Sequence, residues 1–299
     1  MDPAAPMCSA PTQTSCSSGC GASTPNRRVA IASAVVSSME THAGDFASLL
    51  RAWQAQTGTT LPLFAPPTAA NQQVEGLEVH GTTVIAVKFK GGVLNVGDRR
   101  ATAANAVMYD RADKIIPLDD YTLIAIAGAY GRAMEVVRYL RHAFKYYARS
   151  QLQPMSLDGK LQEVSRVLAS NLPNALSGIG LFIPILSAYD PDQDAGRIFF
   201  YDASGARFET PDYGAAGSGA ERIRGVFDYI AKTKGAFSER PLEEVLHEAV
   251  LLLDIAADLD AATGGIDKVL PTARYVNREG VFEVPESTLR EIVSTLRGG

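Results

Sequence analysis

The chain has 299 residues, of which 46% are hydrophobic and 20% are charged, and its formal net charge is -5. This composition is typical of a globular protein with one large domain and additional segments. The mild acidity argues against the basic surface of a nucleic-acid-binding protein. The longest apolar runs, such as residues 181–186, fall short of the roughly 18 apolar residues that a membrane span needs, so we expect no membrane partner.

The N-terminal region has the composition of a disordered leader. Residues 1–28 contain almost no large apolar side chain, so they cannot bury enough surface to offset the entropy of ordering. All three cysteines, Cys8, Cys16 and Cys20, lie there, which argues against a disulfide framework and favours a cytoplasmic location. A closed zinc site needs a fourth ligand, and no histidine lies near them, so we expect no metal. Residues 1–22 also lack the basic and apolar regions of a secretory signal.

The second part of the leader contains one amphipathic segment. Asp45 can cap a short helix at about residues 45–54. The apolar residues of this helix share one face and could dock on another surface: Phe46, Leu49, Leu50 and Trp53. A linker rich in Pro, Thr and Ala follows at residues 58–71. We therefore interpret residues 1–81 as a propeptide and residues 82–299 as the folded domain.

From residue 82 onwards the chain has the patterns of a folded domain. Runs of apolar and β-branched residues bounded by turn residues predict strands at 83–90, 93–97, 114–117, 122–127, 181–189, 197–202, 207–210, 274–277 and 281–284. Apolar residues spaced by three or four predict helices at 132–149, 157–176, 220–234, 242–257 and 287–296. Pro173 is expected to bend the second helix or to end its first part. Because runs of strands alternate with runs of helices, the pattern predicts an α+β fold of antiparallel sheets covered by helices.

The junction of leader and domain reads His80-Gly81-Thr82-Thr83-Val84. A threonine hydroxyl is a poor nucleophile inside a chain, but at the first position of a processed chain its own α-amine can take the proton. The reference pKa of such an amine, about 7.7–8.0, suits this work near neutral pH. Taken alone, Gly-Thr before a strand is more often a turn, so both interpretations stay open at this point.

The residues after the junction carry several motifs in order. Residues 82–114 read TTVIAVKFKGGVLNVGDRRATAANAVMYDRADK, and AIAGAYG, AGSGA and DLDAATGG follow later. This series resembles the mature β-type subunits of proteasomes, threonine peptidases with an N-terminal nucleophile, over essentially all of residues 82–299. Its detail is closest to the bacterial, actinobacterial-type subunits. The DFASLLR segment of the leader is also similar to the propeptides of that group.

The resemblance implies catalytic roles for Thr82, Asp98 and Lys114. Thr82 would be the nucleophile, exposed by autocatalytic cleavage between Gly81 and Thr82. The charge of Lys114 would favour an alkoxide-like nucleophile, and Asp98 would keep this buried lysine charged. Taken singly, Asp98 fits better as a turn residue and Lys114 as a solvated lysine. The matching spacing of the two is what favours the catalytic interpretation.

Four further positions match functional positions of the family. The backbone N–H of Gly128 would be the oxyanion donor. Ser218 would bind the α-amine, and Asp260 with Thr263 would complete that network. Thr263 stands where serine is more common, and Ala220 stands where another serine is common. Without the resemblance, Gly128 fits a strand-to-helix turn, Ser218 a helix cap and the Asp-to-Thr segment a helix C-terminal turn.

The resemblance also implies a substrate cleft. Thr102 would offer backbone groups to an extended substrate that binds as an added strand. The primary specificity pocket would be lined by small to medium apolar residues and one tyrosine: Ala101, Ala112, Ile116, Ile126 and Tyr130. Because no charge lies in this set, we expect cleavage after hydrophobic residues, with Tyr130 narrowing the pocket.

The implied fold is the four-layer αββα sandwich of the N-terminal-nucleophile hydrolases. The implied assembly is a homo-heptameric β ring, stacked with proteasome α subunits as α7β7β7α7. An ATP-dependent ring unfoldase would supply protein substrates, and the reaction needs no cofactor. Two alternatives stay open, a catalytically silent structural β-ring subunit and a subunit of the related two-component heat-shock protease. The intact Gly81-Thr82 junction and Lys114 favour an active subunit, and the long leader disfavours the heat-shock protease.

Overall fold

A computed structural model describes residues 79–103, 106–177 and 180–298. The helices of this part are α1 (Tyr130–Gln151), α2 (Leu157–Leu176), α3 (Ala220–Lys234), α4 (Leu242–Leu259) and α5 (Glu286–Gly298), with a 3-10 helix at Phe237–Glu239. The strands are β1 (Val79–His80), β2 (Thr83–Phe89), β3 (Gly92–Gly97), β4 (Ala101–Ala103), β5 (Ala106–Tyr109), β6 (Ile115–Asp119), β7 (Thr122–Gly128), β8 (Phe182–Asp190), β9 (Ala195–Tyr201), β10 (Arg207–Thr210), β11 (Tyr213–Gly217), β12 (Thr272–Asn277) and β13 (Gly280–Glu283). The segments predicted at 1–28, 45–54 and 58–71 lie outside the described residues.

The strands form two five-stranded antiparallel sheets and one small sheet. The first sheet has the order β11-β2-β3-β12-β13, and the second has the order β10-β9-β8-β7-β6. The small sheet has the order β1-β4-β5, and its strands are also antiparallel. Consecutive strands joined by short turns, such as β2 with β3 and β6 with β7, pair directly with each other.

Alternation along the strands creates a separate core on each face of the first sheet. In β2, Val84 and Ala86 belong to the apolar cluster that fills the space between the two large sheets. Their neighbours Ile85 and Val87 belong to a second cluster, formed with residues of α3, α4 and α5. A third cluster packs α1 and α2 on the outer face of the second sheet. The result is four layers, helices–sheet–sheet–helices, so the predicted αββα fold is confirmed.

Most helices and long strands lie where the sequence predicts them, and the differences are short or glycine-rich strands. No strand was predicted at β1, β4, β5 or β11. In β11 the absence of a side chain at Gly214 is required, because a Cβ there would lie 1.7 Å from the ring of Phe200. The helix α2 has the predicted bounds, Leu157–Leu176, and Pro173 lies inside it. None of the helices in the described ranges is long and apolar enough to cross a membrane.

Candidate active site

Thr82 lies buried at the N-terminal end of β2, next to a glycine with a positive φ. Gly81 has a φ of +110°, a conformation that L side chains rarely adopt. A Cβ at this position would lie 2.2 Å from the Thr102 hydroxyl and 3.0 Å from the carbonyl of Ala262. The Thr82 hydroxyl donates a hydrogen bond of 2.5 Å to the Gly81 carbonyl oxygen. Glycine therefore allows the chain to fold back so that this hydroxyl lies beside the preceding peptide bond.

Lys114 is buried just before β6, and its ammonium has three acceptors. The Nζ atom donates to the Gly81 carbonyl at 2.9 Å, to Asp98 Oδ1 at 2.8 Å and to the Arg100 carbonyl at 2.5 Å. An ammonium has three hydrogens, so all of its donors are used. Burial lowers the pKa of Lys114 below its ordinary value, and the charge of Asp98 opposes that shift. The two side chains of Thr82 and Lys114 thus converge on one carbonyl oxygen.

Asp98 is buried in the loop after β3, and backbone amides fix its carboxylate. Its Oδ1 atom accepts from the Thr83 amide at 2.8 Å in addition to Lys114. Its Oδ2 atom accepts from the amides of Arg100 and Gly264, each at 2.9 Å. Because both oxygens are held by neighbouring backbone, the carboxylate cannot rotate without breaking these bonds. We call Asp98, Lys114 and these backbone partners the lysine network.

A second network surrounds the carboxylate of Asp260, which follows α4. Its Oδ2 atom accepts from the hydroxyls of Ser218 at 2.5 Å and Thr263 at 2.6 Å. The Thr263 and Thr83 hydroxyls lie 2.7 Å apart, and the Gly219 amide donates to the Thr83 hydroxyl at 3.1 Å. Since Thr263 donates to the carboxylate, Thr83 is the donor to Thr263. We call Thr83, Ser218, Asp260 and Thr263 the serine network.

The serine network lies directly beside Thr82. The Ser218 amide donates to the Thr82 carbonyl at 3.0 Å, and its hydroxyl lies 3.5 Å from the same oxygen. A Cβ at Gly217 would lie 1.9 Å from that carbonyl, so β11 can approach β2 this closely only with glycine there. Burial opposes ionisation of Asp260, but the hydroxyls of Ser218 and Thr263, the Ala262 amide and the charge of Arg222 together lower the pKa of this carboxyl.

Two residues of these networks have no role predicted from the sequence. Thr83 joins both networks, through its amide to Asp98 and through its hydroxyl to Thr263. Arg100 donates from Nη1 to the carbonyls of Ala261 and Thr263, and so ties the loop after α4 to the loop after β3. Both residues lie inside the quoted motifs, directly after Thr82 and shortly after Asp98. That adjacency is the signal by which they could have been found.

Gly128 lies at the end of β7, in the second sheet. Its φ is +108°, and a Cβ there would lie 2.5 Å from the carbonyl of Leu181. Within the described ranges, no hydrogen bond joins the Gly128 amide to the Gly81 carbonyl, which is bonded by Thr82 and Lys114 instead. Its role as an oxyanion donor stays a prediction.

The end of the predicted leader pairs with the predicted substrate strand. In β1, Val79 lies opposite Ala103 and His80 lies opposite Thr102, in antiparallel register with β4. This is the strand addition that was expected of an extended substrate. The residues just before Gly81 therefore occupy the edge that Thr102 was predicted to offer.

The predicted pocket residues are mostly enclosed by apolar neighbours. Ala101, Ala112, Ile116 and Ile126 are buried, and Tyr130 is half-buried at the start of α1. Ile116, Ile126 and Tyr130 belong to one cluster. The Tyr130 hydroxyl donates to the Asp113 carbonyl at 3.3 Å, and burial raises the pKa of its phenol. Among the residues described, no cluster of His, Cys, Asp and Glu could hold a metal ion.

Comparison with known proteins gives the family. A family model described as "Proteasome subunit" matches residues 78–270. The chain is 34% identical to "Proteasome subunit beta" of Acidimicrobium ferrooxidans, covering 84% of this chain and 88% of the relative. It is 40% identical to the protein of the same name from Nocardia farcinica, covering 71% and 75%. The Streptomyces griseus protein of that name is 34% identical, covering 73% and 76%. The chain therefore belongs to the proteasome family, as a β-type subunit with actinobacterial relatives and the N-terminal-nucleophile hydrolase fold.

Proposed function

We propose that this chain is a catalytically active threonine endopeptidase subunit of a proteasome core, with Thr82 as nucleophile after self-cleavage of the Gly81–Thr82 bond. One observation carries the proposal. The carbonyl oxygen of Gly81 accepts hydrogen bonds from both the Thr82 hydroxyl and the Lys114 ammonium. This arrangement supports an intramolecular attack on that carbonyl, because it brings the nucleophile and an electrophilic stabiliser to the same carbonyl group.

Self-cleavage would begin with attack of Thr82 Oγ on the carbonyl carbon of Gly81. Negative charge develops on the carbonyl oxygen, where Lys114 stabilises it. The bond from this carbon to the Thr82 nitrogen then breaks, and the nitrogen receives the proton that the hydroxyl lost. The product is an ester between Gly81 and the Thr82 side chain. Hydrolysis by one water molecule releases Gly81 as a carboxylate and leaves Thr82 with a free hydroxyl and a free amine.

The mature site would use that amine as the proton acceptor. The Thr82 hydroxyl attacks the substrate carbonyl, its proton moves to the amine, and the amine passes a proton to the leaving group. Ser218 lies against the Thr82 backbone and is held by Asp260, so this network is suited to orienting the new amine. Lys114, held by Asp98, would stabilise the alkoxide-like nucleophile. Water then hydrolyses the resulting ester.

The substrate would be an extended polypeptide. The pairing of Val79 and His80 with β4 supports this, because the leader already binds there as an antiparallel strand. The apolar set around Ile116 and Ile126 favours cleavage after hydrophobic residues. From the β-type relatives we propose a ring of seven β subunits, stacked with α subunits as α7β7β7α7. An ATP-dependent unfoldase would supply the substrates, and the location would be cytoplasmic.

A silent structural subunit is the main alternative, and the site argues against it. A silent subunit does not need the Thr82 hydroxyl, the Lys114–Asp98 ion pair and the Ser218–Asp260 hydrogen bond together. The names of the relatives likewise favour a proteasome subunit over the two-component heat-shock protease.

The experiment is to purify the full chain and its Thr82→Ala variant and to sequence their N-termini. We expect the wild type to begin at Thr82 and to hydrolyse peptides, and the variant to keep residues 1–81 and be inactive, because it lacks the attacking oxygen. Thr82→Ser is the control, since its hydroxyl keeps the reaction possible. Cleavage before residue 82 by the alanine variant, or retained peptidase activity, would falsify the proposal.

A further inference from the structure

Arg274 of β12 contacts both residues that flank Lys114. Its Nη1 atom donates to the two carboxylate oxygens of Asp113, at 3.0 and 2.8 Å, and also to the carbonyl of Ile115. Its Nε and Nη2 atoms donate to Glu283 of β13, at 3.2 and 3.0 Å. The side chain of Arg274 is only 14% exposed. A single guanidinium therefore links two strands of the first sheet to the segment that carries Lys114.

That segment has little regular structure of its own. Residues 111–114 belong to no strand or helix, and β6 begins only at Ile115. Its other bonds include those from the Ala112 amide to the Arg99 carbonyl and from the Ile126 amide to the Lys114 carbonyl, both at 2.9 Å, and from the Tyr130 hydroxyl to the Asp113 carbonyl, at 3.3 Å. The contacts of Arg274 reach both sides of Lys114 from a single side chain. They connect the segment to the sheet whose strand β2 follows Thr82.

We propose that Arg274 is a positioning residue for the Lys114 ammonium, an inference that rests on the proposed function. Lysine has a long flexible stem, so the place of its Nζ atom depends on where its backbone is held. The Nζ atom must remain within hydrogen-bond distance of the Gly81 carbonyl and of Asp98. A displacement of about 1 Å at a reacting group can reduce a rate by roughly a hundredfold. Arg274 acts through the backbone of residues 113–115 and does not touch the reacting atoms.

The two carboxylates bound by Arg274 provide a matched pair of variants. Asp113 lies next to Lys114, whereas Glu283 lies on the adjacent strand β13, and both are partly exposed, at 41% and 65%. Asp113→Asn weakens the contact that holds the lysine segment. Glu283→Gln weakens a contact of the same guanidinium that holds only the β12–β13 hairpin. If Arg274 merely stabilised the fold, the two variants would behave alike.

The test uses the full chain and its assembled, processed particle. Three quantities are measured: the rate of self-cleavage before Thr82, the kcat and KM for a fluorogenic peptide, and the thermal unfolding midpoint. For Arg274→Met and Asp113→Asn we expect self-cleavage and kcat to fall together, by about 10- to 100-fold, because one ammonium serves both reactions. KM should change less than twofold, since Arg274 bonds to Asp113, Ile115 and Glu283, which lie outside the substrate strand β4. Arg274→Lys should restore part of the rate, and Glu283→Gln should match the wild type.

Different results would contradict either this inference or the proposed function. A lower thermal midpoint with unchanged rates for Asp113→Asn would overturn the inference, as would equal rate losses for Asp113→Asn and Glu283→Gln. Should Arg274→Met fail to fold, Asp113→Asn decides the question, because its side chain is partly exposed. A wild-type chain that neither cleaves itself nor hydrolyses peptide overturns the proposed function, whereas an active wild type with fully active variants overturns this inference alone.

Discussion

The lysine network and the serine network meet at Thr82 and Thr83, but they differ in burial and in charge. Asp98 and Lys114 form a buried ion pair, closed on every side by backbone donors and acceptors. Ser218 and Asp260 lie nearer to solvent, and their bonds run through hydroxyl groups. The first network places a fixed positive charge at a carbonyl oxygen. The second is a chain of groups that can reorient and exchange protons.

This difference assigns the networks to different stages of the proposed reaction. The lysine network contacts the peptide bond whose cleavage we propose. The serine network contacts the Thr82 carbonyl and would become important once that cleavage released the amine. A fixed charge is useful where charge develops in the transition state, because it requires no reorganisation. Loss of the lysine network should therefore affect both self-cleavage and turnover, whereas loss of the serine network should mainly affect turnover.

Lys114→Met should have the largest effect. It removes the ammonium that stabilises the oxygen of Gly81 but keeps a side chain of similar length in the buried site. Loss of one such donor reduces rates by about 10²–10³-fold. We expect a reduction of that order or more in both self-cleavage, measured by intact mass over time, and in kcat of any processed particle.

Lys160→Met is the matched control for that experiment. Lys160 of α2 is also a buried lysine, and it forms an ion pair with Asp119 at 2.7 Å. Its ammonium donates to the hydroxyl of Thr122, which begins β7, whereas Gly128 lies at the other end of that strand. Removing it breaks a partly buried ion pair outside the site, so stability should fall while the rates of the folded protein stay unchanged. Equal rate losses in the two variants would show that Lys114 has only a structural role.

The sequence predicts the regular elements well and the long-range contacts poorly. The helix α3 and the strand β10 begin and end where their periodicity predicts. The small-residue strand β11 was missed, because its Gly and Ala residues are selected by close neighbours rather than by local pattern. The contact between Arg274 and Asp113 joins residues 161 positions apart, and no local pattern indicates it.

For the candidate site, the sequence supplies the residue types and the structure supplies their grouping. The resemblance names Asp98, Lys114, Ser218, Asp260 and Thr263. It does not separate them into two networks, because each network joins loops that are far apart in the chain. For example, the Gly264 amide donates a hydrogen bond to Asp98, and the Thr83 hydroxyl donates one to Thr263. Backbone donors of this kind have no signal in the residue type.

Gly81→Ala should slow self-cleavage and leave the mature enzyme unchanged. The new Cβ would have to tolerate a φ of +110° and would lie 2.2 Å from the Thr102 hydroxyl. Strain of this kind costs roughly 1–3 kcal/mol, which corresponds to about a 5- to 150-fold loss of rate. Gly91→Ala is the control, because Gly91 has a similar φ of +104° and no neighbour within 4 Å of a new Cβ. A processed particle with altered kcat in the Gly81 variant would contradict the prediction, since cleavage removes residue 81.

Thr263→Val should have the smallest effect, because it removes one hydroxyl from the serine network and keeps the shape of the side chain. A hydrogen bond to a carboxylate contributes about 1.5 kcal/mol, so kcat should fall by roughly tenfold, while self-cleavage changes little. The lost donor also raises the pKa of Asp260, which the Thr263 hydroxyl helps to lower. Activity that needs the ionised carboxylate is present above this pKa and lost as the pH falls through it. The acidic limb of the kcat profile should therefore move to higher pH in Thr263→Val and stay in place in Thr263→Ser. An unmoved limb in the valine variant would show that Asp260 does not act through this hydroxyl.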